Sequence, residues 1–398
     1  MVLLGKQERP EKGSLVIGMI AGESSGDTLG AALIESLQAR YPHAVFVGIG
    51  GPKMIDLGFQ SWFPMEKLSV MGFFEVLQHL FELLKIRKSV IAQFLDIKPD
   101  VFIGIDAPDF NFKVEAELKK NKITTVHYVG PSVWAWREKR LEKLRHSVDG
   151  VLVLFPFEPP YYHRYDIPVK FVGHPLANQF PEKPNTLSAR STLKLEALAP
   201  VTAILPGSRM SEINRMADIY IQSAKLLADI YPHMQFVVPC VHDKAKARIQ
   251  EAVDQFGLGI QVRLVDGQSR LVLEACDQAL VTSGTATLEC ALMKKPLVLA
   301  MKVHPISYWI MKRLATTQWI GLPNILANQS LVSELIQEEA TPHKIAIQMG
   351  RLMMDTRLRA QQITAFEKQY VSLKQNASEL AADAIIEWAN LSDFQRAK

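Results

Sequence analysis

The residues equipped for chemistry sit where short apolar runs give out. The run over Ser14–Ile20 opens into Ala21-Gly-Glu-Ser-Ser-Gly-Asp27, and a helical pattern follows. Small residues allow a tight turn, and amides exposed at a helix start bind anions or polar ligands. Gly22, Gly26 and Gly30 are spaced four apart, which is not GxGxxG, and no Lys follows to make a P-loop. Glu23 and Asp27 would also repel a phosphate. The plainer reading is a well-capped helix, with Ser25 or Asp27 near the cap. A later run ends in Gly104-Ile-Asp-Ala-Pro-Asp-Phe-Asn111. A carboxylate emerging at the carboxyl end of a strand sits where catalysis usually sits, so Asp106 fits a general base. Asp109 or Asn111 would cap the next helix, and both aspartates fit equally as caps and turn formers.

The second half carries Ile204-Leu-Pro-Gly-Ser-Arg209 and Thr282-Ser-Gly-Thr-Ala-Thr-Leu-Glu289. In the first string, Gly207 and Ser208 offer close amide approach and Arg209 a fork for a diphosphate. In the second, Ser283, Gly284 and Thr285 at a helix start make a phosphate cradle. Glu289 lies four residues beyond Thr285, on the same helical face, where a carboxylate can accept both hydroxyls of a ribose. Each string alone reads as a turn and a cap; together they favour a nucleoside-diphosphate site. No His, Asp or Glu cluster has metal-ligand spacing and no cofactor is expected. A positive loop would take the place of Mg²⁺ in stabilising a leaving diphosphate.

Two further stretches are apolar. His127-Tyr-Val-Gly-Pro-Ser-Val-Trp-Ala-Trp136 precedes a basic segment, Arg137–Arg145. Aromatic faces suit sugar rings and acyl chains, and the basic helix suits phosphate or an anionic surface, though a solvated helical face is the simpler account of the charges. Between Trp62 and Lys88, apolar residues at 70, 74, 77, 81, 84 and 91 follow a helical face that 73, 76, 80 and 83 widen. Such a face buries against a partner, binds acyl chains, lies at a bilayer interface beside Lys85, Arg87 and Lys88, or is buried on two sides.

The elements that must hold these residues alternate. Buried strands read at Ser14–Ile20, Ala44–Gly50, Asp100–Asp106, Thr124–Val129, Gly150–Leu154 and Val169–Val172. The second half supplies Val201–Pro206, Gln235–Pro239, Gln261–Val265, Gln278–Thr282 and Pro296–Met301. Helical patterns between them imply parallel sheets covered on both faces. The Pro-rich stretch 174–184 reads as a linker between two doubly wound domains, with the ligand site in a cleft between them. The division expected is 1–180, 181–355 and a helical segment 356–398. With 398 residues, 48% hydrophobic and 22% charged, the chain has an ordinary globular balance, and disorder and fibrous classes are excluded. The net charge of +4 is too weak to argue for nucleic acid. Three separated cysteines argue for a reducing compartment. With neither a signal-peptide pattern nor a spanning run, a cytoplasmic location is expected.

The strings AGESSGD, VMGFFEVL, GIDAPDFN, YVGPSVWAWR, FPFE, FVGHPL, LPGSR, SGTATLE and LPNILA, in this order over most of the chain, resemble the lipid-A-disaccharide synthase family. The resemblance implies the α/β architecture called GT-B, two Rossmann-like domains facing a cleft. It implies transfer of 2,3-diacylglucosamine from its UDP donor to the 6-hydroxyl of 2,3-diacylglucosamine 1-phosphate (lipid X). The β-1,6-linked product inverts the anomeric centre, which needs one base and stabilised UDP. On this basis Asp106 is the base, and Glu23 and Ser25 shape the acceptor side or the reaction centre. Arg209, Ser283, Gly284 and Thr285 hold the diphosphate, Glu289 the ribose, and Asn324 lies near the nucleotide or its diphosphate. Met71, Phe73 and Phe74 meet acyl chains or membrane. The resemblance also implies peripheral attachment to the cytoplasmic face of the inner membrane. A homodimer with an exchanged C-terminal segment is a further expectation. Two other readings stand beside it: a UDP-sugar epimerase on the same architecture, and a two-lobed binding protein without catalysis.

Overall fold

Valine, isoleucine and leucine fill the strands with little alternation, as strands buried on both faces require. In the computed structural model, which describes residues 14–68, 73–135, 138–282, 284–392 and 394, they form two all-parallel sheets. Side chains at 73–80 and 310 lie outside that description. The first sheet comprises β1 (Val16–Ala21), β2 (Val45–Ile49), β3 (Gln60–Ser61), β4 (Val101–Ile105), β5 (Thr124–Tyr128), β6 (Gly150–Val153) and β7 (Val169–Phe171), in the order β3-β2-β1-β4-β5-β6-β7. The second comprises β8 (Val201–Leu205), β9 (Gln235–Cys240), β10 (Gln261–Asp266), β11 (Gln278–Val281), β12 (Leu297–Met301) and β13 (Ser333–Ile336), in the order β10-β9-β8-β11-β12-β13.

Both orders reverse beside their first strand, β1 against β4 and β8 against β11. In doubly wound sheets this reversal leaves a crevice at the carboxyl ends, because the helices on its two sides pack on opposite faces. Register makes those ends flush: Ala21 pairs with Ile105, and Val281 with Leu205. The loops after β1 and β4 therefore leave the sheet side by side, as do those after β8 and β11.

The chain divides into two units. The first runs to Pro175 and resumes at Leu373; the second is Leu176–Ser372. The helix Thr356–Leu373 thus closes the second unit, whereas Ala377–Trp388 returns to the first. Ala381, Ala382 and Ile385 of that last helix are buried in the first unit's core, beside β1 and the helix Ser24–Gln38. Gly150 at the start of β6 has no Cβ, and one added there would run into the Trp388 ring.

The helix Phe73–Ile97 separates its core stripe from the broad apolar face read in its sequence. Its buried stripe is Ile86, Val90, Phe94 and Ile97, with Phe94 edge-on to Phe102 of β4 at 5.0 Å. Phe81 and Leu84, on the stripe taken from the sequence, face solvent instead, Phe81 at 84% exposure. The sequence stripe follows the more numerous apolar residues of the N-terminal half, while the core takes the face that the C-terminal half alone presents.

Candidate active site

At the reversal of the first sheet, β4 hands over to two consecutive non-glycine residues in the left-handed region, Asp106 (φ 51°) and Ala107 (φ 45°). Such a pair persists only where the surroundings over-determine it. Asp106 N–H donates to Tyr128 O at 2.8 Å, and Asn111 Nδ2 donates to Asp106 O at 2.8 Å. Asn111 is wholly buried. The helix Pro108–Lys120 then starts with Pro at its first position, which prefers that fixed φ. From the other side the loop after β1 closes in: a Cβ on Gly22 would lie 2.7 Å from Ala107 Cβ. Glycine is required at 22 by this approach, not by a special φ. The Asp106 carboxylate is partly exposed at this lip.

The acidic loop before the helix Ser24–Gln38 splits into two kinds of residue. Asp27 is buried, and its carboxylate accepts from the amides of Gly51, Lys53 and Met54, each at 3.1 Å. It therefore caps the neighbouring turn of helix and does not cap its own. Glu23 is the residue before the first helical turn but makes no side-chain cap bond, and Ser25 is exposed. The structure thus leaves Glu23 and Ser25 at the lip with Asp106. Beneath it, Glu115 Oε1 and His127 Nδ1 lie 2.7 Å apart, both wholly buried, on the helix after Asp106 and on β5. Burial pushes the Glu115 carboxyl up, opposed by His127. Gly104 leaves room for that carboxylate.

At the reversal of the second sheet, a cavity of about 390 Å³ is lined by Gly207, Ser208, Arg209, Thr285 and Glu289 among others. The turn after β8 needs glycine at 207 (φ 122°), where a side chain would strike Glu212. Glu212 reaches back to accept from the amides of Ser208 at 3.0 Å and Arg209 at 3.3 Å. A carboxylate thus occupies amides that the sequence offered to a phosphate. Arg209 itself is mostly exposed, 3.6 Å from Glu212. Across the cavity, the helix Gly284–Leu292 brings its first amides to the carboxyl end of β11. Its approach is fixed by Thr282, whose hydroxyl donates to Tyr220 Oη at 2.8 Å, while Tyr220 donates to Ala300 O at 2.6 Å. Glu289 follows one turn into the helix. Burial pushes its carboxyl up, and the Arg270 guanidinium opposes this.

Asn324 is placed differently from the expectation. It is wholly buried, with Nδ2 donating to Val332 O (3.0 Å) and Glu334 Oε1 (2.8 Å), and Oδ1 accepting from Leu331 N (2.7 Å) and Val332 N (2.8 Å). These bonds use its whole amide, so it holds a loop in place and has no bonding group left for a ligand. Glu334 of β13 also accepts from Ile320 N and Gly321 N, both at 2.9 Å. Ile320 O lies 3.6 Å from where a Cβ of Gly284 would stand. The pair Asn324–Glu334 therefore fixes the backbone that abuts the Gly284 helix start. Ser283 and Met71 lie outside the described residues; Phe73 and Phe74 begin a helix, their side chains undescribed. Arg270, Glu212 and Glu334 are the polar residues that sequence reasoning passed over. Glu212 and Arg270 follow the glycine turns at 207 and 267, the one signal that pointed to them; Glu334 follows none.

Comparison with known proteins completes this picture. The family model described as lipid-A-disaccharide synthetase matches residues 17–387. The lipid-A-disaccharide synthase of Hydrogenovibrio crunogenus is 62% identical over 94% of this chain and 100% of that protein. The chain belongs to the lipid-A-disaccharide synthase family. The family's enzyme from Pseudomonas putida is 45% identical over 94% of this chain and 98% of its own. Membership makes the protein a glycosyltransferase. Among solved structures, a glycosyltransferase from Rickettsia africae matches with a TM-score of 0.59 at 13% identity over 96% of this chain and all of that chain. A UDP-GlcNAc 2-epimerase from Neisseria meningitidis, bound to UDP-GlcNAc, matches at 0.58 and 14% over 95% of this chain and all of its own. At such identity these likenesses speak to fold alone, and the fold is GT-B. The family match, far higher in identity, sets the epimerase and binding-protein readings aside.

Proposed function

We propose that this enzyme transfers 2,3-diacylglucosamine from UDP-2,3-diacylglucosamine to the 6-hydroxyl of 2,3-diacylglucosamine 1-phosphate, forming the β-1,6-linked tetraacyl disaccharide 1-phosphate and UDP. The observation that carries the residue assignment is the register at the two sheet reversals, which sets the motif loops side by side in each unit. Asp106 takes the proton of the acceptor hydroxyl. The acceptor oxygen bonds to the anomeric carbon, the bond from that carbon to the diphosphate breaks, and its electron pair leaves with UDP. Glu23 and Ser25 orient the acceptor. Arg209 and the amides at the start of the Gly284–Leu292 helix, with Ser283 and Thr285, stabilise the charge that develops on the diphosphate. Glu289 accepts from the ribose hydroxyls. Asn324 acts through the backbone it holds, as a positioning residue.

Binding of the first diphosphate oxygens competes with Glu212 for the Ser208 and Arg209 amides, so donor entry and a swing of Glu212 go together. The segment around Met71, Phe73 and Phe74 receives acyl chains or touches a lipid surface. Support comes from its continuation, where Phe81 and Leu84 are exposed on the helix Phe73–Ile97. Among the described residues no helix is long and apolar enough to cross a membrane. Attachment would therefore be peripheral, at the cytoplasmic face of the inner membrane.

The test is UDP release from the donor in detergent, with and without lipid X. Release that requires lipid X, with a disaccharide product by mass, is expected; UDP formed equally without acceptor would point to hydrolysis. Arg209→Ala should lower kcat/KM for the donor about tenfold or more, as loss of a charge-assisted contact does. Unchanged kinetics would remove Arg209 from the diphosphate.

A further inference from the structure

Between Glu289 and Glu334 the sequence holds no aspartate or glutamate. Within that acid-free stretch, β12 ends and the helix Pro305–Leu314 begins. Its ends are well defined: Pro305 takes the first helical position, and Ala315 turns extended after it. Yet the helix leaves its large apolar side chains in solvent. Ile306 is 64% exposed, Trp309 57%, Met311 47% and Leu314 40%. They do not form one stripe. Ile306 and Trp309 share a face, while Leu314 and Met311 carry the apolar surface round the helix. Tyr308 is half-buried among them. The charged residues interleaved are all cations: Lys312 and Arg313 are exposed, Lys302 lies just upstream, partly exposed, and the other polar residue, Ser307, is neutral. The Arg313 guanidinium sits 4.4 Å from the centre of the Trp309 ring.

We propose that the helix Pro305–Leu314 is an interfacial element that seats the second unit on an anionic lipid bilayer. It rests on the reading that this enzyme works at a lipid surface, and adds to it an attachment point in the nucleotide-binding unit. A groove on a partner protein accepts a single stripe, whereas the headgroup–acyl boundary accepts a broad apolar arc flanked by cations. Tryptophan and tyrosine favour that boundary, where one end of the ring is wet. The charge complementarity decides between bilayer and protein. Lys302, Lys312 and Arg313 meet no acid in their own stretch of chain, and an anionic surface attracts each such cation. Arg313 above Trp309 keeps its charge at the ring's level, where lipid phosphates lie. Placing the donor-binding unit on the surface brings it to a donor and an acceptor that both carry acyl chains.

The test is co-sedimentation of the full chain with vesicles of phosphatidylcholine alone, and of phosphatidylcholine and phosphatidylglycerol in equal parts. The wild-type chain is expected to bind the mixed vesicles. Trp309→Ser with Met311→Ser should lower its partition about tenfold or more, since two large apolar anchors are lost. Lys312→Glu with Arg313→Glu should lower binding to the mixed vesicles about tenfold or more, with little change on phosphatidylcholine. Neither pair should alter the melting temperature. If the apolar pair fails to fold, the charge pair decides alone. A parallel pair, Phe81→Ser with Leu84→Ser, separates the two levels of the claim. Loss of binding there, with wild-type binding in both helix 305–314 variants, overturns this inference and leaves the lipid-surface reading intact. No vesicle binding by the wild-type chain overturns both. A shift from dimer to monomer in the apolar variant, with vesicle binding unchanged, assigns the face to a second copy of the chain and also overturns the proposal.

Discussion

Asp106 occupies left-handed backbone that aspartate and asparagine tolerate better than most residues. Asp106→Asn therefore changes the charge while leaving the turn alone. It should cost about 100-fold or more in turnover, the size of a lost general base, with UDP affinity unchanged by calorimetry. A loss of only a few fold would take Asp106 out of that role. Gly22→Ala tests the same lip from the other side. The new methyl meets Ala107 and displaces the turn, so turnover should fall although no charge is touched. Glu158 gives a pH signature. Burial raises its carboxyl to about 8, against two backbone amides from Leu154 and Phe155. Its folded pKa is above the unfolded value, so the folded state binds the extra proton between them. Stability falls as pH climbs from about 4.5 towards 8, by at most about 5 kcal/mol. Glu158→Gln keeps the acceptor oxygen and should flatten that alkaline decline in melting temperature; an unchanged slope would refute the assignment. The positions of Asp106, Arg209 and Glu289, at strand ends or beside glycine turns, were legible because short apolar runs and glycines mark such places. That the Asn324 amide is wholly engaged was not legible, since its partners at 331–334 come together only in the fold.

At the scale of elements, the loop clamped by Asn324 and Glu334 should behave as a unit. Asn324→Ala leaves the Leu331 and Val332 amides and the Glu334 carboxylate short of partners. The expected cost is about 3 kcal/mol or more in chemical denaturation, with weaker UDP binding as the Gly284 helix start loosens. Retained UDP affinity in a destabilised protein would separate the loop from the nucleotide. The eleven strands taken from the sequence are all present, and for all but the edge strands β7 and β10 the reason is that a run buried on both faces needs no periodicity to be seen. β3 and β13 were missed for a physical reason. β3 is two residues long, and β13, Ser333-Glu-Leu-Ile336, devotes its glutamate to a neighbouring loop. The core stripe of the helix Phe73–Ile97 was not legible because exposed apolar residues outweigh the buried ones.

On the scale of the whole molecule, the second unit is an insertion in the first, entered after Pro175 and left before Leu373. The returning helix contributes fully buried Ile385, and Tyr41 Oη donates to the carbonyl of Leu391 beyond it. Each large apolar side chain so buried is worth about 1.5–3 kcal/mol, in a protein whose total stability is of order 10 kcal/mol. Ending the chain after Gln375 should therefore abolish the cooperative transition of the first unit in calorimetry while the second still melts and still binds UDP. A truncated chain with both transitions would show the helix to be dispensable. Gly150→Ala should reproduce the effect in mild form, about 1–3 kcal/mol in the first unit, by pushing against Trp388. The insertion also sets an order of events on the ribosome. The inner unit is made between the two parts of the outer one, whose final helix follows it in the chain. The half made first is therefore completed last: its core closes only after the whole sequence of the inner unit has been made.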